Sequence, residues 1–212
     1  MPSTLTEEMV LKGPGGPPAR SDDGGEGLGG KPRTPRRAYL TAVSLGLACI
    51  LMFFMALTSA YIVRKGLGGD WKPIELPRIL WFTTAVLILS SFTIERARKL
   101  LAGDDVAGYR RWWTVTTVLG FVFLAGQCLA WLALRAQGVF VASNPSSSFF
   151  YLLTAAHGAH LTGGILALLV VGLRRWTNAA ERRATSTDVA SIYWHFMDGL
   201  WVFLFLLLSL GR

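Results

Sequence analysis

Five long apolar stretches, separated by short polar segments, restrict this chain to one kind of fold. They cover residues 38–63, 76–95, 112–134, 149–173 and 189–210, and we expect the second helix to continue toward residue 101. A helix needs about 20 apolar residues to cross the roughly 30 Å of hydrocarbon in a bilayer. Only helices and closed barrels bond all their backbone amides there. The pattern therefore predicts an all-α integral membrane protein, a bundle of five transmembrane helices.

The composition agrees with lipid as the solvent. Hydrophobic residues make up 52% of the chain and charged residues only 16%, which is too apolar for an ordinary soluble domain. The net charge of +8 comes from basic residues beside the apolar stretches rather than on one polar face. We therefore predict no nucleic-acid partner.

The first 37 residues differ from the rest of the chain. They are rich in glycine, proline and charge, and such a segment cannot bury enough apolar area to offset the entropy of ordering. We predict a disordered tail over residues 1–37 and a transmembrane domain over residues 38–212. The tail has no apolar core of signal-peptide length, so the first span is expected to direct insertion itself.

Lysine and arginine are distributed unevenly between two sets of segments. The tail, the segment between the second and third spans and the segment between the fourth and fifth together hold fifteen, against five in the segments opposite. Cytoplasmic loops carry the excess of these residues in membrane proteins. The bias predicts a cytoplasmic N-terminus and a C-terminus outside.

Polar side chains inside the spans are informative, because a membrane helix has no reason to expose them to lipid. They concentrate in the third, fourth and fifth spans, and all three histidines of the chain are among them. These residues are Gln127, Thr154, His157, His160, Thr162, Tyr193, His195 and Asp198.

One face of the fourth helix carries much of this polarity. Thr154, His157 and His160 follow each other at intervals of three, and Gly164 continues the line, so they share one face. We expect that face to contact protein. Small residues around Gly158 would let a neighbouring helix approach closely, so we expect the fourth helix to lie centrally.

Asp198 needs a partner, because an unpaired carboxylate at mid-membrane costs about 2.5–3.5 kcal/mol on insertion scales. His195 is nearest along the chain, and His157 or His160 reach it if the last two helices are adjacent. A metal or haem site, a buried hydrogen-bond network and a proton relay all satisfy these residue types. Residue chemistry alone leaves the three open.

Two late segments resemble the subunit III family of haem-copper oxidases. Residues 150–164 read FYLLTAAHGAHLTGG and are similar to the penultimate helix of that family. Residues 192–205 read IYWHFMDGLWVFLF and are similar to the Tyr-Trp-His-Phe-x-Asp-x-x-Trp pattern with which the family ends. MFF at 52–54, SSFT at 90–93 and Gln127 with Trp131 also match, in family order. The resemblance covers residues 38–210.

The resemblance implies the short, five-helix bacterial form of this subunit, packed against the catalytic subunit I in the bacterial inner membrane. It implies that this chain contains no catalytic residue and binds no haem, copper or other metal. Haem and copper are expected in subunits I and II. Subunit I, in that family, pumps protons while it reduces dioxygen with electrons from cytochrome c or quinol. The implied role is to stabilise subunit I and support its proton uptake. Subunit II, other small subunits and membrane lipids are the further partners implied.

The intramembrane polar residues are then expected to form a structural network between the last two helices. With the family motif, the network comprises Gln127, Thr154, His157, Gly158, His160, Gly164, Tyr193, Trp194, His195, Asp198 and Trp201.

The chain departs from the family at two glutamate positions and leaves two rival functions open. Many members carry a carboxylate where this chain has Ile50, and another where it has Ala130. The first rival is a subunit III-like accessory protein of nitric-oxide reductase. The second, from another class, is a stand-alone proton or metal transporter that uses the three histidines and Asp198.

Overall fold

A computed structural model of the chain describes residues 36–67, 69, 71, 74, 76–173 and 180–210. These residues form five α-helices and no strand. The helices are α1 (Arg36–Leu67), α2 (Ile79–Ala102), α3 (Val106–Ala136), α4 (Pro145–Leu173) and α5 (Ala180–Leu210). All five are long and apolar enough to cross a membrane. The predicted fold class, an all-α bundle of five membrane-spanning helices, is confirmed.

Local sequence signals explain where α4 begins. The Asn144 side chain accepts a hydrogen bond from the Ser147 amide at 2.9 Å, and the Ser147 hydroxyl accepts one from the Asn144 amide at 3.2 Å. This reciprocal arrangement satisfies two backbone donors at a helix start. Pro145 follows at the first helical position, where a missing N–H costs nothing.

Most helices extend beyond the spans read from the sequence. α1 includes Arg36 and Arg37 and continues to Leu67, and α5 begins at Ala180 instead of residue 189. Hydropathy marks the width of the hydrocarbon, whereas backbone hydrogen bonding continues into the charged flanks. α2 differs at its start, at Ile79 instead of residue 76, because Pro77 disfavours helical geometry in the residue before it. The predicted disordered tail, up to residue 35, lies outside the described residues.

The helices form a ring of four with one helix attached outside it. α2 packs against α3, α3 against α4, α4 against α5, and α5 against α2. α1 contacts only α4 and α5 among the described helices. Of its described side chains, residues 37–67, only Phe54, Thr58 and Tyr61 are buried. Their spacing of four and three residues forms one stripe, which faces the ring.

The fourth helix contacts three other helices, α1, α3 and α5, as a central helix is expected to do. α5 also contacts three, α1, α2 and α4, and it is the most buried of the five spans. Small residues mark α4, and close approaches occur at Gly164, where a methyl group would lie 2.9 Å from the Tyr193 ring, and at Gly172, where it would lie 3.1 Å from Trp113. At Gly158 a methyl group would meet nothing within 4 Å. Small residues permit close packing without showing which helix face uses it.

A close contact between α2 and α3 yields a stability prediction. A methyl group at Gly126 would lie 2.2 Å from Thr83 Cγ2, so Gly126→Ala forces either the buried Thr83 side chain or the two helices to shift. We expect it to lower the free energy of unfolding by about 1–3 kcal/mol, as overpacked cores do. Thermal unfolding of the purified protein in detergent measures the change. Gly158→Ala is the matched control, since the new methyl group has free space and alanine favours a helix. Equal effects of the two substitutions would contradict the close α2–α3 approach.

Candidate functional site

The motif tryptophans on α5 are hydrogen-bonded to α2. Trp194 Nε1 donates to Ser90 Oγ at 2.8 Å, and Trp201 Nε1 donates to Thr84 Oγ1 at 3.0 Å. All four side chains are buried. A tryptophan N–H in an apolar interior needs an acceptor, and the small hydroxyls of α2 supply it. These bonds fix the height and rotation of α5 against α2.

Asp198 bonds to the same helix. Its Oδ2 accepts a hydrogen bond from Ser91 Oγ. The same Ser91 Oγ lies 3.1 Å from His195 Nδ1. Asp198 is 5% exposed, so the carboxyl is enclosed and bonded across an interface. The expected partnership with His157 or His160 of α4 is wrong, because the carboxyl faces α2. His195 and Asp198 do lie together, but Ser91 joins them.

Charged residues extend this contact toward the end of α2. His195 Nε2 lies 3.9 Å from Glu95 Oε2, and Arg98 bonds both Glu95 at 2.9 Å and Asp188 at 3.2 Å. The whole row is called the α2–α5 seam below. It comprises Thr84, Ser90, Ser91, Glu95 and Arg98 of α2 and Asp188, Trp194, His195, Asp198 and Trp201 of α5.

Sequence reasoning missed the α2 half of the seam. Thr84, Ser91, Glu95 and Arg98 are spaced by seven, four and three residues, which places them on one helix face. That spacing was a usable signal. It was missed because serine and threonine are frequent in apolar helices, where they bond their own backbone, and because Glu95 and Arg98 lie at the charged end of the second span.

His160 lies at a different interface. Its Nδ1 is 2.7 Å from the Ala156 carbonyl on its own helix, and its ring packs against Phe53 and Phe54 of α1. Tyr193 donates from its hydroxyl to the His160 carbonyl at 2.8 Å. His160 therefore joins α4 to α1, and the Tyr193 hydrogen bond joins α5 to α4.

His157 is fully buried between aromatic rings. Its ring centroid lies 5.0 Å from that of Trp201 on α5 and 5.9 Å from that of Phe123 on α3. Neither ring nitrogen of His157 has a hydrogen-bond partner in the described part of the chain, and neither side-chain amide atom of Gln127 has one. His157 packs between α3 and α5, Gln127 is buried on α3, and unbonded polar atoms are costly in both places.

Thr154 completes the polar face of α4. Its Oγ1 accepts a hydrogen bond from Trp131 Nε1 of α3 at 3.1 Å and donates to the Phe150 carbonyl at 2.7 Å. The expectation that Thr154, His157, His160 and Gly164 face protein agrees with the structure, although His160 is only partly buried. The face is divided among α1, α3 and α5, because α4 lies between them.

The two positions that lack the family glutamates are apolar here. Ala130 on α3 is fully buried, and Ile50 on α1 is partly buried against the core. Both positions contribute to packing in this chain.

The arrangement separates the three histidines onto three interfaces. His157 contacts α3 and α5, His160 contacts α1, and His195 contacts α2. Within the described residues, no three side chains of histidine, cysteine, aspartate or glutamate lie close enough together to hold a metal ion. The chemistry these groups perform in this geometry is to bond helices across interfaces and to place one carboxyl beside a hydroxyl and an imidazole.

Comparison with known proteins agrees with the motifs. The chain matches the family model described as cytochrome c oxidase subunit III over residues 38–210. It is 36% identical over 167 residues to the probable cytochrome c oxidase subunit 3 of Mycobacterium tuberculosis, covering 75% of this chain and 81% of that one. It is 37% identical over 176 residues to cytochrome c oxidase subunit 3 of Thermostichus vulcanus, covering 77% and 85%.

The fold defines a multi-pass helical membrane protein, and the family match makes it a subunit of an oxidase complex. More particularly, the chain belongs to the cytochrome c oxidase subunit III family. The resemblance inferred from residues 150–164 and 192–205 is confirmed.

The hydrogen bond between Ser91 and Asp198 predicts how much stability is lost when the Asp198 carboxyl is removed. Asp198→Leu leaves the Ser91 hydroxyl without its acceptor in a closed interface, so we expect the free energy of unfolding to fall by about 1–3 kcal/mol. Asp198→Asn should cost less, because the amide oxygen still accepts from Ser91. Denaturant titration in detergent measures both.

Thr162→Val serves as the control for these two substitutions. Thr162 is exposed and bonds only the Gly158 carbonyl of its own helix, so its substitution should leave stability unchanged. Wild-type stability of Asp198→Leu would show that the bond to Ser91 does not hold α5 to α2.

Proposed function

We propose that this chain is the non-catalytic subunit III of a respiratory haem-copper terminal oxidase. It stabilises the catalytic subunit I and supports proton uptake by that subunit, which reduces dioxygen to water and pumps protons. Haem and copper are bound by subunits I and II, and this chain binds none of them. The electrons for the reaction enter through the other subunits.

The use of the motif residues for helix packing carries this proposal. Trp194, Asp198 and Trp201 bond to α2, and Tyr193 bonds to α4. Each of these bonds crosses a helix interface, and the bonded groups are closed off from solvent to a large degree. A side chain committed in this way positions helices, which is the task of a subunit that supports a neighbour.

The apolar outer surface of the bundle is suited to partners that are themselves in the membrane. α1 exposes large apolar side chains along most of its length, including Leu51, Met52 and Met55. Such a surface needs lipid or another transmembrane helix against it. The proposed partners are subunit I, subunit II, other small subunits and membrane lipids. Nucleic acid is not among them.

Two observations favour this function over the two rivals. The quoted relatives are named as oxidase subunits, which favours an oxidase over a nitric-oxide reductase accessory protein. On α5, residues 199–210 carry no ionisable side chain, so the polar row of that helix does not continue past Asp198. A stand-alone transporter needs a pathway open in turn to both sides.

We place the chain in the bacterial inner membrane with the N-terminus in the cytoplasm. Support comes from the fifteen lysines and arginines on one side of the five spans against five on the other, because cytoplasmic segments carry the excess. In this orientation the loop between α3 and α4 is outside, and the loop between α2 and α3 is cytoplasmic.

The orientation is testable with single cysteines. Ser143 lies in the α3–α4 loop, and Ala107 lies in the first turn of α3; both are exposed. In a chain whose Cys49 and Cys128 are replaced by alanine, we expect a membrane-impermeant thiol reagent to label Ser143→Cys in intact spheroplasts. Ala107→Cys should be labelled only after permeabilisation. The reverse labelling pattern would contradict a cytoplasmic N-terminus.

Association with the catalytic subunits is tested by affinity purification. A tagged chain isolated from its own membranes in mild detergent should bring with it the visible absorbance of haem. After separation from its partners in stronger detergent, the tagged chain should show no haem absorbance and no bound copper by elemental analysis. An untagged chain taken through the same steps is the control. Stoichiometric haem or copper on the isolated chain, or purification without companions, would overturn the proposed function.

A further inference from the structure

The side chains of the seam change from partly exposed to buried along its length. The side chains of Glu95 and His195 are 38% and 39% exposed, whereas Asp198 is 5% exposed. Asp198 lies ten residues after Asp188, which corresponds to about 15 Å along α5. A continuous row of polar groups therefore leads from the end of α2 toward the middle of the membrane, and it ends on a carboxyl.

The hydrogen bonds of this row fix where its protons are. Ser91 has one hydroxyl proton, and it points to Asp198 Oδ2. The 3.1 Å contact between His195 Nδ1 and Ser91 Oγ is then a hydrogen bond only if Nδ1 carries a proton and donates it. In the neutral imidazole this leaves Nε2 as an acceptor. That nitrogen faces Glu95 Oε2 at 3.9 Å.

We infer that Glu95, His195 and Ser91 form a proton relay that connects Asp198 with the membrane surface at which α2 ends and α5 begins. Each member can both accept and donate a proton at the atoms that face its neighbours. The 3.9 Å step is the one gap, and one water molecule between the half-exposed Glu95 and His195 side chains closes it while Glu95 stays bonded to Arg98.

One passage of a proton balances as follows. A protonated Glu95 gives its proton to His195 Nε2, His195 gives its Nδ1 proton to Ser91 Oγ, and Ser91 gives its hydroxyl proton to the Asp198 carboxylate. Glu95 becomes a carboxylate and Asp198 a carboxylic acid, so one negative charge moves outward as one proton moves inward. His195 stays neutral but changes tautomer, and Ser91 keeps one proton. The reverse sequence resets the relay.

The charged and titratable groups around the relay are those of the seam. α2 contributes Glu95 and Arg98, and α5 contributes Asp188 and His195. On α4, which also packs against α5, His157 and His160 face the aromatic rings of Phe123, Trp201, Phe53 and Phe54. The charged residues of α1 within residues 37–67 lie at its two ends.

The relay goes beyond the proposed function, because it concerns proton exchange by this chain's own carboxyl. Its direction along the seam does not depend on which side of the membrane is the cytoplasm. A purely structural Asp198 would need Ser91 as a donor but would need neither His195 nor Glu95.

Infrared spectroscopy of the full chain in lipid bilayers, with any subunits that co-purify, tests the relay. The carboxylic acid band that disappears in Asp198→Asn is assigned to Asp198, at a mildly acidic pH. Its rate of proton–deuteron exchange is then followed after transfer to heavy water. We expect Ser91→Ala and His195→Gln to slow this exchange by roughly 100-fold, the lower range for a positioned proton-transfer group.

Three variants separate the relay from a structural effect. Ser91→Thr keeps the hydroxyl and should retain fast exchange, and Thr93→Val removes a hydroxyl of α2 that bonds Thr116 of α3 instead and should also retain it. His195→Gln keeps hydrogen bonding but cannot shuttle a proton, so it should lose fast exchange while keeping thermal stability.

Two outcomes would overturn the relay. One is wild-type exchange in both Ser91→Ala and His195→Gln, and the other is the absence of any Asp198 carboxylic acid band across the pH range. Absence of haem from the purified protein would instead overturn the proposed function and leave the exchange result intact.

Discussion

A bilayer interior supplies no water to side chains, so a polar group of these helices that is not bonded within the protein is costly. α5 carries two buried tryptophans and a buried carboxyl, and all three bond along α2. Bonds from Trp194, Asp198 and Trp201 all end on hydroxyls of that helix. Serine and threonine suit this role because their own protons bond a backbone carbonyl or a neighbouring acceptor, as Ser90 does with Leu87. The position of α5 in the bundle follows from these pairs.

Aromatic packing supports the same arrangement on the other side of α5. Trp201 bonds α2 through its nitrogen while its ring contacts Phe123 and His157. Trp194 lies against Gly120, where a methyl group would come within 2.8 Å of the indole ring. Trp201 thus joins α5 to α2, α3 and α4, because an indole presents a donor at one edge and a broad apolar face. The motif that identifies the family is, in physical terms, a set of helix-joining side chains.

The absence of the family's two glutamates is compatible with this packing. Ala130 and Ile50 take part in apolar contacts, and the described carboxylates inside the bundle belong instead to the seam. Asp198 and Glu95 lie on neighbouring helices and differ strongly in exposure. That contrast gives the chain an acid at the membrane surface and an acid near its middle, joined by an imidazole and a hydroxyl.

The sequence by itself determined the class, the five spans and the family, because hydropathy over 20 residues and the pattern from Tyr193 to Trp201 are local properties of the chain. It also indicated that Asp198 needs a partner. Only the tertiary structure decided that the partner is Ser91 of α2, and that α5 is the most buried of the five spans. Residues 107 positions apart are joined by the order of helices around the ring, which depends on how all the faces pack together. No spacing within a single helix contains that information.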